Sequence, residues 1–268
     1  MINKGGRINL FEFENLAAVP GLVHFVTTRS GGSSLPPYDS LNLGLHTADN
    51  PEHVLANRLL LAGETGIAPD KFLYASQVHS GDVKVIDAEA IKNDVLLKNP
   101  RTDATITNLP GICLMVMVAD CVPLVLFDPV KKVSAVIHAG WRGTVQHITS
   151  NTIHKMTECF GCDPADIIAG IGPSIGPCCY EVGEEVRQVV EQSFGTTEGF
   201  LIYHTHSKKP HFDLWYANHK QLTDLGVKPL NIETSQLCTK CRQDLFYSSR
   251  ASLGITGRLG AGIYIEVK

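Results

Sequence analysis

Three residues with metal-binding side chains stand apart in the sequence but share a similar setting. His79, Cys121 and His138 each lie where a predicted strand meets a loop. Imidazole nitrogen and thiolate sulfur are ligands that zinc favours, and a catalytic zinc has three protein ligands and one open position for water or substrate. A structural zinc site would need a fourth protein ligand. The three residues therefore predict one catalytic metal site, in which Cys121 binds as the thiolate.

Polar and aromatic residues beside these ligands are candidates for contacts with a substrate. Arg142 follows His138 within a turn, and a guanidinium can bind phosphate or carboxylate through two hydrogen bonds. The adjacent Trp141 can stack on a flat ring, although an exposed arginine beside a half-buried tryptophan explains the pair equally well. Gln77 and Asp120 lie close to ligands and either orient them or contact substrate. Strand alternation makes a structural role for Asp120 equally reasonable.

Apolar runs predict the strands that position the ligands. Three runs rich in Val and Leu show little alternation, as expected for strands covered on both faces, and they are residues 112–119, 122–127 and 133–138. Residues 72–78 and 83–88 favour a further pair of strands joined by a tight turn. This pairing places His79 at a strand end. More strands are predicted at residues 22–28, 167–171 and 260–267.

Helical spacing and capping residues predict the remaining elements. The expected helices run from Pro51 to just before Gly66, from Thr144 to about Phe160, over residues 182–194, and from Asp213 to Gly226. No linker rich in Ser, Gly or Pro divides the chain. Strands mixed with helices on both sides predict an α+β (mixed α/β) fold with one domain over residues 1–268.

The composition excludes several classes of partner. The chain has 268 residues and a formal net charge of −4, without the basic surplus that nucleic-acid binding requires. Its most apolar stretch, residues 111–127, is interrupted by Asp120 and Pro123, so we expect no membrane span. We also expect no signal peptide and a cytoplasmic location. A chain of this length buries about three quarters of its unfolded surface, so a metal is not needed merely to hold a core together.

The eight cysteines are too sparse for a disulfide scaffold, and we expect free thiols. Two Cys-x-x-Cys pairs, Cys159/Cys162 and Cys238/Cys241, are chemically able to form a four-thiolate zinc site together. The pairs are far apart in sequence and neither lies in a recognisable zinc-knuckle context. The favoured interpretation is therefore that they are ordinary thiols.

Motifs spread over nearly the whole chain carry a family resemblance. They are Thr28-Arg29-Ser30-Gly31-Gly32, Ser40-Leu41-Asn42-Leu43-Gly44, Gln77-Val78-His79, Ala119-Asp120-Cys121-Val122-Pro123-Leu124, His138-Ala139-Gly140-Trp141-Arg142-Gly143, Gly172-Pro173-Ser174-Ile175, Cys178-Cys179-Tyr180-Glu181-Val182 and Thr256-Gly257-Arg258. With these motifs the chain resembles the laccase-domain proteins, once called multicopper polyphenol oxidases and now regarded as purine nucleoside phosphorylases. The family often has Phe-Phe-Ser-Tyr-Arg-Arg near its end. Here only Arg250 of that arginine pair is kept.

The resemblance implies a fold, a cofactor and a reaction. The implied fold is a single domain of stacked mixed β-sheets flanked by helices, and the implied cofactor is zinc on His79, Cys121 and His138. The implied reactions are phosphorolysis of adenosine, inosine and methylthioadenosine by inorganic phosphate, and deamination of adenosine to inosine. We expect Arg142 to join the three ligands in catalysis. We expect substrate contacts from Arg29, Asn42, Gln77, Asp120, Trp141 and Arg250, with Arg142 and Arg29 assigned to phosphate or ribose.

Three other interpretations use the same residues. Copper accepts His and Cys ligands, which would suit a polyphenol oxidase, but a multicopper enzyme needs many paired histidines and the chain has one His-x-His, at His204 and His206. A metal-free Cys-His hydrolase would use Cys121 as its nucleophile. A binding module would hold a nucleoside without converting it. The sequence leaves the oligomeric state and the balance of phosphorolysis and deamination open.

Overall fold

Two mixed β-sheets dominate the computed structural model, which describes residues 1–93, 100–205 and 207–267. The strands are β1 (Ile2–Lys4), β2 (Leu10–Glu12), β3 (Leu22–Thr27), β4 (Phe72–Tyr74), β5 (Val83–Val85), β6 (Ala104–Thr107), β7 (Cys113–Val118), β8 (Val122–Asp128), β9 (Val133–Ala139), β10 (Ile168–Ile171), β11 (Leu201–Ile202), β12 (His211–Phe212), β13 (Ile232–Thr234) and β14 (Leu259–Ile265). The α-helices are α1 (Glu14–Ala17), α2 (Pro51–Thr65), α3 (Ala88–Lys92), α4 (Trp141–Val145), α5 (Ile148–Phe160), α6 (Glu184–Phe194) and α7 (Leu214–Asp224).

Both large sheets are antiparallel in the middle and carry parallel strands at their edges. The first has the order β1-β2-β3-β14-β7-β4, and only β4 runs parallel to its neighbour. The second has the order β13-β10-β8-β9-β6-β5, with parallel pairs at both edges. Strands β11 and β12 form a separate antiparallel pair. The expected mixed α/β class with stacked mixed sheets is confirmed.

Side chains along each central strand alternate between two of three apolar cores. Along β7, Leu114 and Val116 pack between the two sheets, where they join Val125 of β8. Met115 of β7 instead faces a core that includes residues of α2. Leu124 of β8 faces a third core built with α5, α6 and α7. The layers are thus helix, sheet, sheet and helices. Because both faces of the central strands are covered, these strands are continuous apolar runs in the sequence.

The predicted helices form, with one difference. Asn50 caps α2 through Glu52 N–H at 2.9 Å, and Asp213 caps α7 through Tyr216 N–H at 2.9 Å. The single helix predicted from Thr144 to Phe160 was wrong, because the chain breaks at His147, which has a left-handed φ of 58°. The His147 ring lies 3.0 Å from Ser193 Oγ, a contact that holds the break in place. Thr144 therefore lies inside α4 and does not cap a helix.

The predicted pairing of residues 72–78 with 83–88 was also wrong. Strand β4 joins β7 in the first sheet, whereas β5 joins β6 in the second. The segment between them crosses from one sheet to the other, and so does the short turn between β7 and β8. Local β-propensity predicted the strands, but the partners were set by packing of the two sheets. These two crossings lie side by side and carry the candidate site.

Within the described ranges, no helix combines the length and the apolar composition needed to cross a bilayer.

Candidate metal centre and its cavities

The three predicted ligands meet where the chain crosses between the sheets. Cys121 follows Asp120 in the turn from β7 to β8, and His79 lies in the segment from β4 to β5. His138 lies in β9, opposite Pro123 of β8. One ligand atom from each of the three residues lies within 4.8 Å of the others. The convergence expected from the sequence is therefore present.

The donor set fits a divalent metal. Cys121 Sγ lies 4.0 Å from His79 Nε2, and the two imidazole rings meet edge-on with their centroids 4.8 Å apart. Tetrahedral zinc with ordinary bond lengths holds a nitrogen and a sulfur ligand about 3.6 Å apart. His138 is buried and His79 is exposed, so the centre is reached from the His79 side. Two imidazoles and one thiolate with an accessible face are the ligand set of a catalytic site.

A buried carboxylate, Asp103, holds two of the ligands. Its Oδ1 accepts hydrogen bonds from His138 Nδ1 at 2.8 Å and from His79 N–H at 3.0 Å. Its Oδ2 accepts from the N–H groups of Val78 at 3.1 Å and Ser80 at 2.7 Å. Burial opposes the charge, but the bonds from His138 and the backbone lower the pKa of Asp103 to about 2. Because an ionised carboxylate only accepts, His138 Nδ1 carries the proton and Nε2 is left to bind metal.

Cys121 and His138 form a coupled pair. Burial opposes ionisation of the thiol, yet the charge on His138 and hydrogen bonds from His138 and His79 lower the pKa of Cys121 to about 6. Burial likewise opposes protonation of His138, but Cys121 and Asp103 raise the pKa of its imidazole. Without metal the two residues are a thiolate and an imidazolium. A bound cation replaces that imidazolium proton as the partner of the thiolate.

Gly140 permits the close approach of two ligands. A Cβ at this position would lie 3.0 Å from Cys121 Sγ and 3.1 Å from His79 Cδ2. Both distances are shorter than ordinary van der Waals contact. Glycine at the start of the Gly-Trp-Arg-Gly run is therefore a steric requirement of the centre, in addition to forming the N-cap of α4.

A cavity of about 530 Å³ opens beside the metal centre. Besides the three ligands, its walls include His46, Arg58, Tyr74, Gln77 and Arg258. The Arg58 guanidinium lies over the Tyr74 ring at 3.7 Å from its centroid. Burial raises the pKa of Tyr74 to about 12, and burial together with the charges of Arg258 and Arg58 lowers the pKa of His46. At neutral pH the cavity thus presents a phenol donor, a neutral imidazole and two guanidinium groups.

Two residues expected to contact substrate form hydrogen bonds with neighbouring segments of the protein. Gln77 lines the cavity, but its amide donates to Met117 O at 2.7 Å and accepts from Met117 N–H at 2.8 Å. Asp120 has a left-handed φ of 89° and accepts from Thr239 Oγ1 at 2.6 Å and Arg250 N–H at 2.6 Å. Both side chains therefore fix the segments around Cys121. The contacts of Asp120 agree with the structural role considered for it from the sequence.

Asn42 and Arg29 are not placed beside the metal ligands. Asn42 is fully buried, and its Oδ1 accepts from the N–H groups of Gly44 at 3.0 Å and Arg258 at 2.8 Å. Arg29 lines a different depression, where it donates to Asp39 O at 2.9 Å and contacts the Asp39 carboxylate at 3.1 Å. The Thr-Arg-Ser-Gly-Gly motif thus builds a loop. The prediction that Arg29 contacts phosphate or ribose is not supported by this position.

Trp141, Arg142 and Arg250 lie on the other side of Cys121. A depression of about 170 Å³ is lined by His79, Cys121, Trp141 and Arg142. The Arg142 guanidinium lies 4.5 Å from the Trp141 ring centroid, and Arg142 makes no ion pair with any residue that the structure describes. Arg250 donates to a backbone carbonyl at 2.9 Å and borders a neighbouring depression that also reaches Cys121. The metal centre therefore has a larger cavity on one side and a small arginine-lined depression on the other.

Sequence reasoning missed Asp103, His46 and Arg58. Asp103 stands alone among Thr and Ala before β6, and its only signal is the general need of a metal-bound histidine for a carboxylate partner. Arg58 looked like part of a packing helix, since it falls on the apolar spacing of α2. His46 lies in a loop without a motif of its own. The cavity forms only where this loop lies beside β4 in the folded protein.

Comparison with known proteins identifies the family. The model of the multi-copper polyphenol oxidoreductase laccase family matches residues 23–266, so the chain belongs to this family. A purine nucleoside phosphorylase of Bacteroides thetaiotaomicron is 36% identical over 260 residues, covering 95% of each chain. The protein named adenosine deaminase RL5, from an unknown prokaryotic organism, is 36% identical over 261 residues, covering 96% of this chain and 99% of its own.

Solved structures share the fold. YlmD from Geobacillus stearothermophilus superposes with a TM-score of 0.86 at 32% identity, covering 95% of this chain and 94% of its own. The resemblance stated from the sequence motifs is thereby confirmed at the level of both family and fold.

Proposed function

We propose that this protein is a zinc-dependent purine nucleoside enzyme that cleaves adenosine, inosine and methylthioadenosine with inorganic phosphate and also deaminates adenosine to inosine. The observation that carries the proposal is the convergence of His79, Cys121 and His138 at one end of a cavity of about 530 Å³. That volume falls within the usual range for small-molecule sites. The names of the relatives support both reactions, since one is a purine nucleoside phosphorylase and another an adenosine deaminase. The free thiols suit a reducing compartment, which supports the expected cytoplasmic location.

The metal would be held by two imidazoles and the Cys121 thiolate. When bound, it supplies Lewis-acid stabilisation of negative charge that develops on the substrate. Asp103 keeps His138 in the tautomer that can bind metal through the 2.8 Å contact with its Nδ1, and it holds the backbone at His79 through the 3.0 Å contact with its N–H. Gly140 leaves room for the ligands to meet. These residues preorganise the centre before substrate arrives.

The nucleoside is assigned to the larger cavity. The stacked Arg58 and Tyr74 present a flat surface suited to a purine, and the protonated Tyr74 hydroxyl can donate to a ring nitrogen or ribose oxygen. None of the residues lining this cavity in the described chain is a carboxylate. Proton transfer to the base is therefore assigned to His46, whose lowered pKa keeps it neutral, so that it can accept a proton and pass it to the departing purine.

Inorganic phosphate is assigned to the small depression beside Arg142. Its size, about 170 Å³, suits a small anion, and Cys121 and His79 line both this depression and the larger cavity. A phosphate oxygen on this side would attack C1′ of the ribose while the bond from C1′ to the purine nitrogen breaks. The electron pair leaves with the base, whose nitrogen takes up a proton, and the attacking hydrogenphosphate gives one up, so the step consumes no net proton. A guanidinium with unused donors matches the charge and geometry of phosphate.

The test is incubation of metal-replete protein with adenosine, with and without phosphate, followed by chromatography of the products. Adenine that forms only with phosphate shows phosphorolysis, and inosine that forms without phosphate shows deamination. Cys121→Ala should lose the metal bound at His79, Cys121 and His138, seen as a lower metal content by elemental analysis, and should lose both products. If the metal-replete protein binds adenosine and yields neither product, the enzyme proposal fails and a binding module remains.

Copper oxidation of phenols is a second candidate, favoured by the description of the matching family. The three ligands accept copper as well as zinc. A multicopper enzyme needs several histidine-rich sites, but of the two metal-capable clusters among the described residues only one contains histidine. His206 of the His-x-His lies outside the described residues. Oxygen uptake with a phenol by copper-loaded protein, absent with zinc, would establish this activity.

A further inference from the structure

Four cysteines from two loops gather on the side of the fold near Asp120. Cys178 and Cys179 precede α6, while Cys238 and Cys241 follow β13. Their sulfur atoms all lie within 4.8 Å of one another. The Cys238/Cys241 pair thus meets the vicinal pair at 178 and 179, and not Cys159/Cys162. No spacing pattern in the sequence groups these four, because the vicinal pair has no Cys-x-x-Cys spacing.

The spacing of the sulfur atoms suits a single tetrahedral ion. Cys241 Sγ lies 3.6 Å from Cys178 Sγ and 3.4 Å from Cys179 Sγ. Zinc with four thiolates at about 2.3 Å holds neighbouring sulfurs about 3.8 Å apart. All four residues are free cysteines in the structure.

Backbone contacts fix the two loops against each other independently of the thiols. Ser174 and Cys238 form a parallel β-bridge, and Thr239 N–H donates to Ser174 O at 3.0 Å. The Gly176 N–H donates to Cys238 Sγ at 3.3 Å. N–H groups that point at a cysteine sulfur stabilise its thiolate. The buried Cys238 is therefore prepared to bind a cation, and the exposed Cys178 and Cys241 leave a route by which an ion can enter.

We propose that Cys178, Cys179, Cys238 and Cys241 bind a structural zinc ion, separate from the His79–Cys121–His138 centre. Four thiolates close the coordination shell, as in structural zinc sites, and leave no position for a substrate. The ion clamps the loop at 172–180 to the loop at 236–242. Thr239 lies between two of the ligands and donates to Asp120 at 2.6 Å, and Asp120 precedes Cys121. The clamp is therefore coupled through one hydrogen bond to the turn that carries the catalytic thiolate.

Elemental analysis of protein purified without added metal tests the assignment, with variants that separate the two sites. The wild-type chain should carry two equivalents of zinc, and Cys121→Ala and Cys241→Ser one equivalent each. Cys159→Ser is the matched control, because Cys159 is also exposed but belongs to neither cluster, and it should keep both equivalents. Equal zinc in Cys241→Ser and wild type would overturn the proposal, as would iron in place of zinc.

Alkylation of the unmodified protein gives a second measurement that needs no folded variant. Read by mass spectrometry, Cys178 and Cys241 should resist alkylation as purified and react after a chelator removes zinc, while Cys159 reacts in both states. Reaction of Cys241 as fast as Cys159 in the purified protein would refute a bound ion. If Cys178 and Cys241 stayed unreactive with chelator and reacted only after a reductant was added, a disulfide would be shown and the bound zinc ion would again be refuted.

Discussion

Asp103 accepts a 2.8 Å hydrogen bond from His138 Nδ1, and this contact connects the buried end of the metal centre to its exposed end. The same carboxylate accepts the N–H of His79 at 3.0 Å. One side chain therefore sets the tautomer of one ligand and the backbone position of another. Loss of its charge should affect both together.

Asp103→Asn should weaken metal binding by roughly 10- to 100-fold, the usual effect of changing the hydrogen-bond partner of a metal-bound histidine. The amide can accept one of the bonds but cannot satisfy all the donors that meet the carboxylate. Competition with a chelator of known affinity measures the change. Asp82→Asn, at an exposed position in the same crossing segment, is the control and should bind metal as the wild type does. Unchanged affinity in Asp103→Asn would contradict the role given to this carboxylate.

Asp103 should also make the metal-free protein sensitive to acid. The pKa of Asp103 is about 2 in the folded protein and roughly 3.9 in an unfolded chain. The ionised carboxylate therefore stabilises the fold at any pH above the unfolded-state pKa. This stabilisation is lost as pH falls through the folded value, and it amounts to about 2 to 3 kcal/mol. Denaturant unfolding of wild type and Asp103→Asn across this range should show the difference between them shrinking toward low pH. A difference independent of pH would show that Asp103 is not ionised in the fold.

Gly140→Ala should weaken metal binding about tenfold, because the added methyl group forces Cys121 or His79 away from its position. Metal competition measures the effect and circular dichroism checks the fold. Gly63→Ala in α2 is the matched control, since a Cβ there meets nothing within 4 Å. That control should keep its metal affinity and gain about 0.5 to 1 kcal/mol of stability. Equal metal affinity in the two variants would remove the steric argument.

Arg142→Ala should raise the KM for phosphate about tenfold or more and leave phosphate-independent deamination of adenosine nearly unchanged. The two reactions separate because only phosphorolysis needs the anion. Arg187→Ala, at a surface position paired with Glu184 in α6, serves as the control. An unchanged KM for phosphate in Arg142→Ala would show that the small depression is not the phosphate site.

The sequence predicted those parts of the fold whose signals are local. Residues 113–118 and 133–139 form strands because each run is apolar on both faces, and the Asn50 and Asp213 caps start helices where expected. The partner of β4 was missed because strand pairing depends on how distant sheets pack. Asp103 was missed for the same reason, since its role depends on hydrogen bonds to His79 and His138, which are distant in the sequence.

The cluster of His79, Cys121 and His138 was expected because each residue stands in a motif near a strand end, whereas the motif residue Arg29 lies in a loop away from that cluster. Its guanidinium is engaged by Asp39 and by a backbone carbonyl. A glycine-rich context therefore indicates a special backbone but does not say which side chain faces the substrate.

The crossings that carry His79 and Cys121 pass from one sheet to the other, while His138 belongs wholly to the second sheet. In a partly folded chain whose two sheets have not packed together, these three residues would lie apart and could not bind one ion jointly. Binding of a metal by these three residues is consequently expected only after the two sheets have packed together.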